Sequence, residues 1–198
     1  VARAADLEAV MELAGWTNDR LVAERIARLP RREWVFGRPN SSIVMAAFLH
    51  APPGGTRFAG PDLGAWYAAT RIETAVAEVG HHLRREAFAR RKSELTRRYR
   101  AYSARLEGER YGDIRGMAAA MPDVYASDDY AHSQAFGEAS RKAGADGIVY
   151  DSLRHAGGIN VVAYRPSKVL DVVQAEHFEV TVRRDARQIV VKRLTSAP

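Results

Sequence analysis

The stretch Ala65-Trp66-Tyr67-Ala68-Ala69-Thr70-Arg71-Ile72-Glu73-Thr74-Ala75-Val76-Ala77-Glu78-Val79 reads as a short strand running directly into a helix. Residues 65–69 are small or aromatic and suit a pleated, packed surface. Thr70-Arg71-Ile72-Glu73 has the S/T-x-x-E form of a capping box, which predicts a helix start at this point. Ala75, Val76, Val79 and Leu83 are then expected to face inward at helical spacing.

Upstream, Leu7, Val10, Met11 and Ala14 follow the i, i+3, i+4, i+7 pattern of an amphipathic helix closed by Gly15, and a second helix is expected from Thr17 until Pro30 stops it. Ile43-Val44-Met45-Ala46-Ala47-Phe48-Leu49 is apolar on both faces, which makes it a candidate central strand. Pro52-Pro53-Gly54-Gly55 marks a turn. Downstream, Tyr99 to Leu106 alternates bulky and charged residues and reads as an edge-like strand. Ser127 is expected to cap a helix with Asp128 and Asp129 in its first turn, ended by Gly144. Strands are expected at Gly147–Tyr150 and Asn160–Tyr164, and a closing hairpin at Glu179–Arg183 and Gln188–Lys192. Strands outnumber helices without alternating strictly with them, so the class is α+β rather than a doubly wound parallel sheet.

Composition narrows the setting. A chain of 198 residues fits one domain large enough to fold without metal or disulfide staples. The absence of cysteine excludes thiolate zinc sites, disulfides and a cysteine nucleophile. No apolar run approaches a membrane span, and Val1–Asp6 lacks a signal-peptide layout, so a cytoplasmic protein is expected. Net charge is +6, with Arg84, Arg85, Arg90, Arg91, Lys92, Arg97, Arg98 and Arg100 crowded together. A run like this serves nucleic acid, an acidic partner protein or simply the solvated face of a helix, and no nucleic-acid reading motif accompanies it.

Five residues stand out as candidates for chemistry. Arg57 beside a turn is either a surface arginine or a guanidinium fork for phosphate oxygens. Tyr67 is either core packing or a ring that stacks on a planar ligand group. Glu78 lies among Ala75, Val76, Ala77 and Val79, where a buried unpaired carboxylate is costly. Either it pairs with an arginine, or it acts on a ligand by holding a ribose hydroxyl and stabilising positive charge at a sugar carbon. Ser133 and Ser152 carry hydroxyls, but no Gly-x-Ser-x-Gly elbow surrounds either. Adjacent His81-His82 has the wrong spacing for metal on one helix face, and neither a phosphate-binding Gly-x-x-x-x-Gly-Lys loop nor a Rossmann glycine fingerprint occurs.

Arg57-Phe58, Trp66-Tyr67-Ala68-Ala69 and Glu73 to Val79, followed by Asp128-Asp129-Tyr130, Ser133 to Gly137, Gly147 to Ser152 and Gly157-Gly158, together resemble the RES domain, a family named for its arginine, glutamate and serine. Tyr67 and Glu78 lie eleven residues apart, as in family members. The resemblance implies a single RES domain over 1–198, with 57–166 as the motif-bearing core and 1–51 as a helical segment particular to a subgroup. The family's further arginine, on a strand near its N-terminus, has no match here. The implied fold is that of the diphtheria-toxin kind of ADP-ribosyltransferase, a split mixed and antiparallel β core with flanking helices.

The implied activity is that of a toxin cleaving the nicotinamide–ribose bond of NAD⁺ without a metal. Inorganic phosphate as co-substrate gives ADP-ribose-1″-phosphate, and ADP-ribosyl transfer to a protein is the alternative. By position, Arg57 is expected to bind NAD⁺ phosphate, Tyr67 to pack at the nicotinamide end and Glu78 to stabilise the ribosyl cation. Ser133 corresponds to the family serine, unless an offset of two residues places Ala131 there, and Ser152 belongs to a second serine-containing motif. The implied partner is an Xre-like helix-turn-helix antitoxin. DNA is reached only through that partner, no membrane is involved, and the toxin–antitoxin complex admits a homodimer.

Overall fold

A computed structural model describes residues 19–194 of the chain. The helix expected at Leu7–Ala14 lies outside the described residues. The elements are α1 (Asp19–Ala27), α2 (Ser41–Leu49), β1 (Trp66–Ala69), α3 (Ile72–Ala89), β2 (Glu94–Leu106), β3 (Tyr111–Asp113), α4 (Ala131–Lys142), β4 (Gly147–Asp151), β5 (Ile159–Ala163), β6 (Val169–Arg183) and β7 (Ile189–Leu194), with short 3₁₀ turns at Arg31–Glu33 and Pro166–Lys168. The strands form a four-stranded sheet of order β1-β5-β4-β3 and a three-stranded sheet of order β2-β6-β7. The expected α+β class is what the chain adopts. Among the described residues no helix is long and apolar enough to cross a membrane.

By packing, the chain divides into two compact units. The first comprises the described part of Val1–Tyr67 with Ala104–Tyr150 and Val161–Val172. Its core joins Phe58, Ala59, Ala65, Ile114, Tyr125, Ile148, Tyr150, Val162 and Tyr164. Phe58 meets Tyr150 edge to face, with ring centroids 4.7 Å apart, a geometry that suits the ring quadrupoles.

Residues 43–49 correct the sequence expectation, because they form a helix and not a strand. An apolar run of this length fits either element by period alone. Met45, Ala46, Ala47 and Leu49 are good helix formers, and Asn40, at φ 59°, turns the chain into the helix. The buried positions are Val44, Met45, Phe48 and Leu49, the repeat of one helix face. Arg25 satisfies the carbonyl of Leu49 at the helix end with an Nη1 bond of 2.7 Å, leaving one fewer orphan acceptor there.

The start of α4 is also corrected. Ser127 does not cap it; the helix begins at Ala131, whose N–H is accepted by Asp129 Oδ1 at 2.9 Å. Asp128 and Asp129 therefore precede the first turn instead of lying within it. The helix ends as expected at Gly144, which has φ +91°. Strand β3 was not foreseen: its three residues pair in parallel with β4, Gly112 opposite Ile148.

The second unit comprises Ala68–Ser103, Asp151–Asn160 and the described part of Val173–Pro198. Helix α3 begins where expected, but the capping box does not form. Arg71 occupies the N-cap without a side-chain bond, while the Thr70 hydroxyl donates at 3.4 Å to the carbonyl of Ile159. The sheet neighbour outcompetes the helix end for that hydroxyl.

The buried row of α3 is Thr74, Gly80, Leu83 and Ala87, displaced from the expected Ala75, Val76 and Val79. Gly80 explains the displacement, since a Cβ there would lie 2.4 Å from Ile189 Cδ1. Leu83 packs with Val180 and Val182. Burying side chains of this size stabilises by about 1.5–3 kcal/mol each.

Strand β2 lies at an edge of its sheet, as its alternation suggested, but starts at Glu94 instead of Tyr99. The expected closing hairpin is present as antiparallel β6 and β7, with Val180 opposite Val191. The basic stretch is not one helix face: it runs from the end of α3 through a turn into β2. Arg84 donates to the carbonyl of Arg187 at 2.9 Å, and Arg98 pairs with Glu179 at 3.2 Å.

Candidate active site

Glu78 sits in the second turn of α3, part-buried, and does not pair with an arginine among the described residues. Its Oε1 accepts the Ser152 hydroxyl at 2.7 Å and the Asn160 Nδ2 amide at 2.7 Å. Ser152 follows β4 and Asn160 is the second residue of β5, with only 9% and 3% of their surfaces exposed. Hydrogen bonds to a carboxylate are charge-assisted and roughly twice as strong as neutral ones, so these two donors hold Glu78 in a defined rotamer.

The loop that presents Ser152 is tied down on several sides. The Ser152 N–H donates to the carbonyl of Gly158 at 2.8 Å, and the Gly158 N–H to the carbonyl of His155 at 2.9 Å. Thr74, one turn before Glu78 on α3 and fully buried, meets His155 Nδ1 at 2.8 Å. One turn further along, His81 keeps its Nε2 buried without a hydrogen-bond partner among the described residues. Burial, then Arg154, His82 and Arg85, lower its pKa to about 4, so this ring is neutral near pH 7.

Arg57, Tyr67 and Ser133 belong to the first unit. Arg57 lays its guanidinium over the Tyr130 ring, 4.8 Å from the centroid, and donates from Nη1 to the carbonyl of Ala126 at 2.8 Å. One edge of the fork is thus anchored, which leaves Nε and Nη2 without protein partners among the described residues. Ser133 is fully buried, and its hydroxyl donates to the carbonyl of Tyr130 at 3.1 Å. Its contact is with the residue that Arg57 covers.

Tyr67 packs against the core around Phe58 and Tyr164. Its Oη accepts the Phe58 N–H at 2.9 Å and bonds with Thr56 Oγ1 at 2.9 Å. The Thr56 hydroxyl also reaches the carbonyl of Ala59 at 3.4 Å. Burial pushes the phenol up to about 12, although the Thr56 and Phe58 bonds and the nearby Arg141 and Arg57 act in the opposite direction.

A phenol raised in the folded state deprotonates first in the unfolded chain. Its stabilisation is therefore complete below about pH 10 and is lost as pH rises towards 12. Tyr67→Phe is expected to flatten this alkaline loss. It also leaves the Phe58 N–H unpaired and lowers stability at pH 7 by about 1–3 kcal/mol. Urea unfolding at pH 7 and pH 11 measures both effects.

The structure thus joins Arg57 to Tyr130 and Ser133 in one unit, and Glu78 to Ser152 in the other. Sequence reasoning missed Asn160, Thr74, His155, Tyr130 and Thr56. Asn160 had a signal: it is the one amide heading the apolar run Val161-Val162-Ala163, where a buried polar side chain needs a partner.

The family model for the RES domain matches residues 22–183. The chain therefore belongs to the RES-domain family. No curated protein matches it.

Proposed function

We propose that this chain cleaves the nicotinamide–ribose bond of NAD⁺, as a toxin held in check by an antitoxin. The observation that carries the reading is Glu78, whose Oε1 is held by Ser152 and Asn160 while Oε2 accepts no protein hydrogen bond among the described residues. As the C1″–N bond breaks, its electron pair leaves with nicotinamide and positive charge develops on the ribosyl ring. A fixed anion stabilises that charge more than it stabilises the ground state, which is the condition for faster chemistry. Inorganic phosphate then forms the new bond at C1″ through one of its oxygens, giving ADP-ribose-1″-phosphate.

In this reading Arg57 binds NAD⁺ phosphate with the edge of its fork that the protein leaves open, and Tyr67 packs at the nicotinamide end. Ser133 supports Arg57 through Tyr130. The basic stretch favours a nucleic-acid role less, because Arg84, Arg97 and Arg98 are already engaged by carbonyls or by Glu86 and Glu179.

The test is incubation of the purified chain, freed of any partner, with NAD⁺ in the presence and absence of phosphate. Nicotinamide release with ADP-ribose-1″-phosphate formed only in phosphate is expected. Label appearing on protein instead would assign ADP-ribosyl transfer, and intact NAD⁺ would overturn the reading.

A further inference from the structure

We infer that Asn160 and Ser152 are positioning residues that aim Glu78 by occupying one of its two oxygens. This role rests on the NAD⁺-cleaving reading and deepens it. Both donors converge on Oε1, each at 2.7 Å. The direction of the Ser152 bond is set by its surroundings, because the same Oγ accepts the backbone N–H groups of Arg154 at 3.1 Å and His155 at 3.0 Å. A hydroxyl has two lone pairs and one proton. With the lone pairs taken by those N–H groups, the proton is committed to Glu78.

Ser152 so placed is a poor nucleophile: the lone pairs that would attack are engaged. Asn160 contributes the second donor from a strand, where its side chain has little freedom. The loop around Ser152 is in turn pinned to α3 by Thr74 and His155, one helical turn from Glu78. Oε2 is left as the oxygen that faces the ribosyl carbon or its neighbouring hydroxyl, and its direction is set before substrate arrives.

Four variants decide the matter: Asn160→Asp, Asn160→Ala, Ser152→Ala and Ser152→Thr, each assayed by nicotinamide release with kcat and KM separated. Asn160→Asp keeps shape while replacing the donor by an acceptor. It is expected to lower kcat by up to about 10²-fold, as much as Asn160→Ala, with KM for NAD⁺ changed less than threefold. Ser152→Ala is expected to lower kcat alike, with some loss of stability because the Arg154 and His155 N–H groups lose their acceptor, and Ser152→Thr, which keeps the hydroxyl, to recover most of kcat.

Thermal unfolding separates these effects from loss of structure. Should Asn160→Asp fail to fold, the Ser152 pair decides alone. An active wild-type chain whose Ser152→Ala variant retains kcat, or loses it through KM, overturns the positioning role and leaves the NAD⁺ reading standing. A wild-type chain that leaves NAD⁺ intact overturns both.

Discussion

Glu78→Gln is expected to lower kcat/KM for NAD⁺ cleavage by about 10²–10³-fold, the scale seen when one electrostatic stabiliser is removed from a preorganised site. The substitution is nearly isosteric, and the glutamine oxygen still accepts from Ser152 and Asn160, the two groups that hold the carboxylate. What disappears is the negative charge opposite the developing ribosyl cation. The loss should therefore fall on kcat, because NAD⁺ itself carries no such charge on the sugar. Thermal unfolding should be near that of the wild type. A variant that cleaves NAD⁺ within threefold of the wild-type rate would remove Glu78 from the chemistry.

Gly137→Ala is expected to destabilise the first unit by about 3 kcal/mol, the upper end of ordinary overpacking. In an exposed helix the same change stabilises by up to about 1 kcal/mol, so here the packing decides the sign. A Cβ at position 137 would lie 2.1 Å from the carbonyl oxygen of Phe58 and 2.7 Å from its carbon. These are backbone atoms and cannot swing aside as a side-chain tip can. That carbonyl also accepts the Tyr164 hydroxyl at 3.0 Å, so moving it disturbs the core on both sides. For a chain of this size the midpoint of thermal unfolding should drop by about 6–12 °C. Because Phe58 follows Arg57 in the chain, NAD⁺ affinity should weaken as well. An unchanged or raised midpoint would show that α4 shifts away freely.

The parts of this fold that were legible in the sequence are those with local signals. Trp66–Ala69, Gly147–Tyr150 and the final hairpin are short β-branched or aromatic runs bounded by turn residues, and they are strands. The Ile43–Leu49 run was misread because a segment apolar all round carries no period to separate strand from helix. The inner row of α3 was misplaced for another reason. Thr74 and Gly80 score as polar and flexible, yet both are buried because His155 and Ile189 close upon them.

The candidate site shows the same division. Glu78 was visible as a charge among alanines and valines. Its partners were not, since Ser152 and Asn160 reach it across 74 and 82 residues of sequence. Nor could spacing reveal that the Ser133 hydroxyl turns back on Tyr130, because helix-start geometry decides that bond.

The most direct measurement is nicotinamide released over time from NAD⁺ by the purified wild-type chain in phosphate buffer. Release in many-fold excess over enzyme, matched by ADP-ribose-1″-phosphate and cut by about 10²–10³-fold in Glu78→Gln, is the expected result. NAD⁺ recovered intact from a folded, partner-free chain would contradict it.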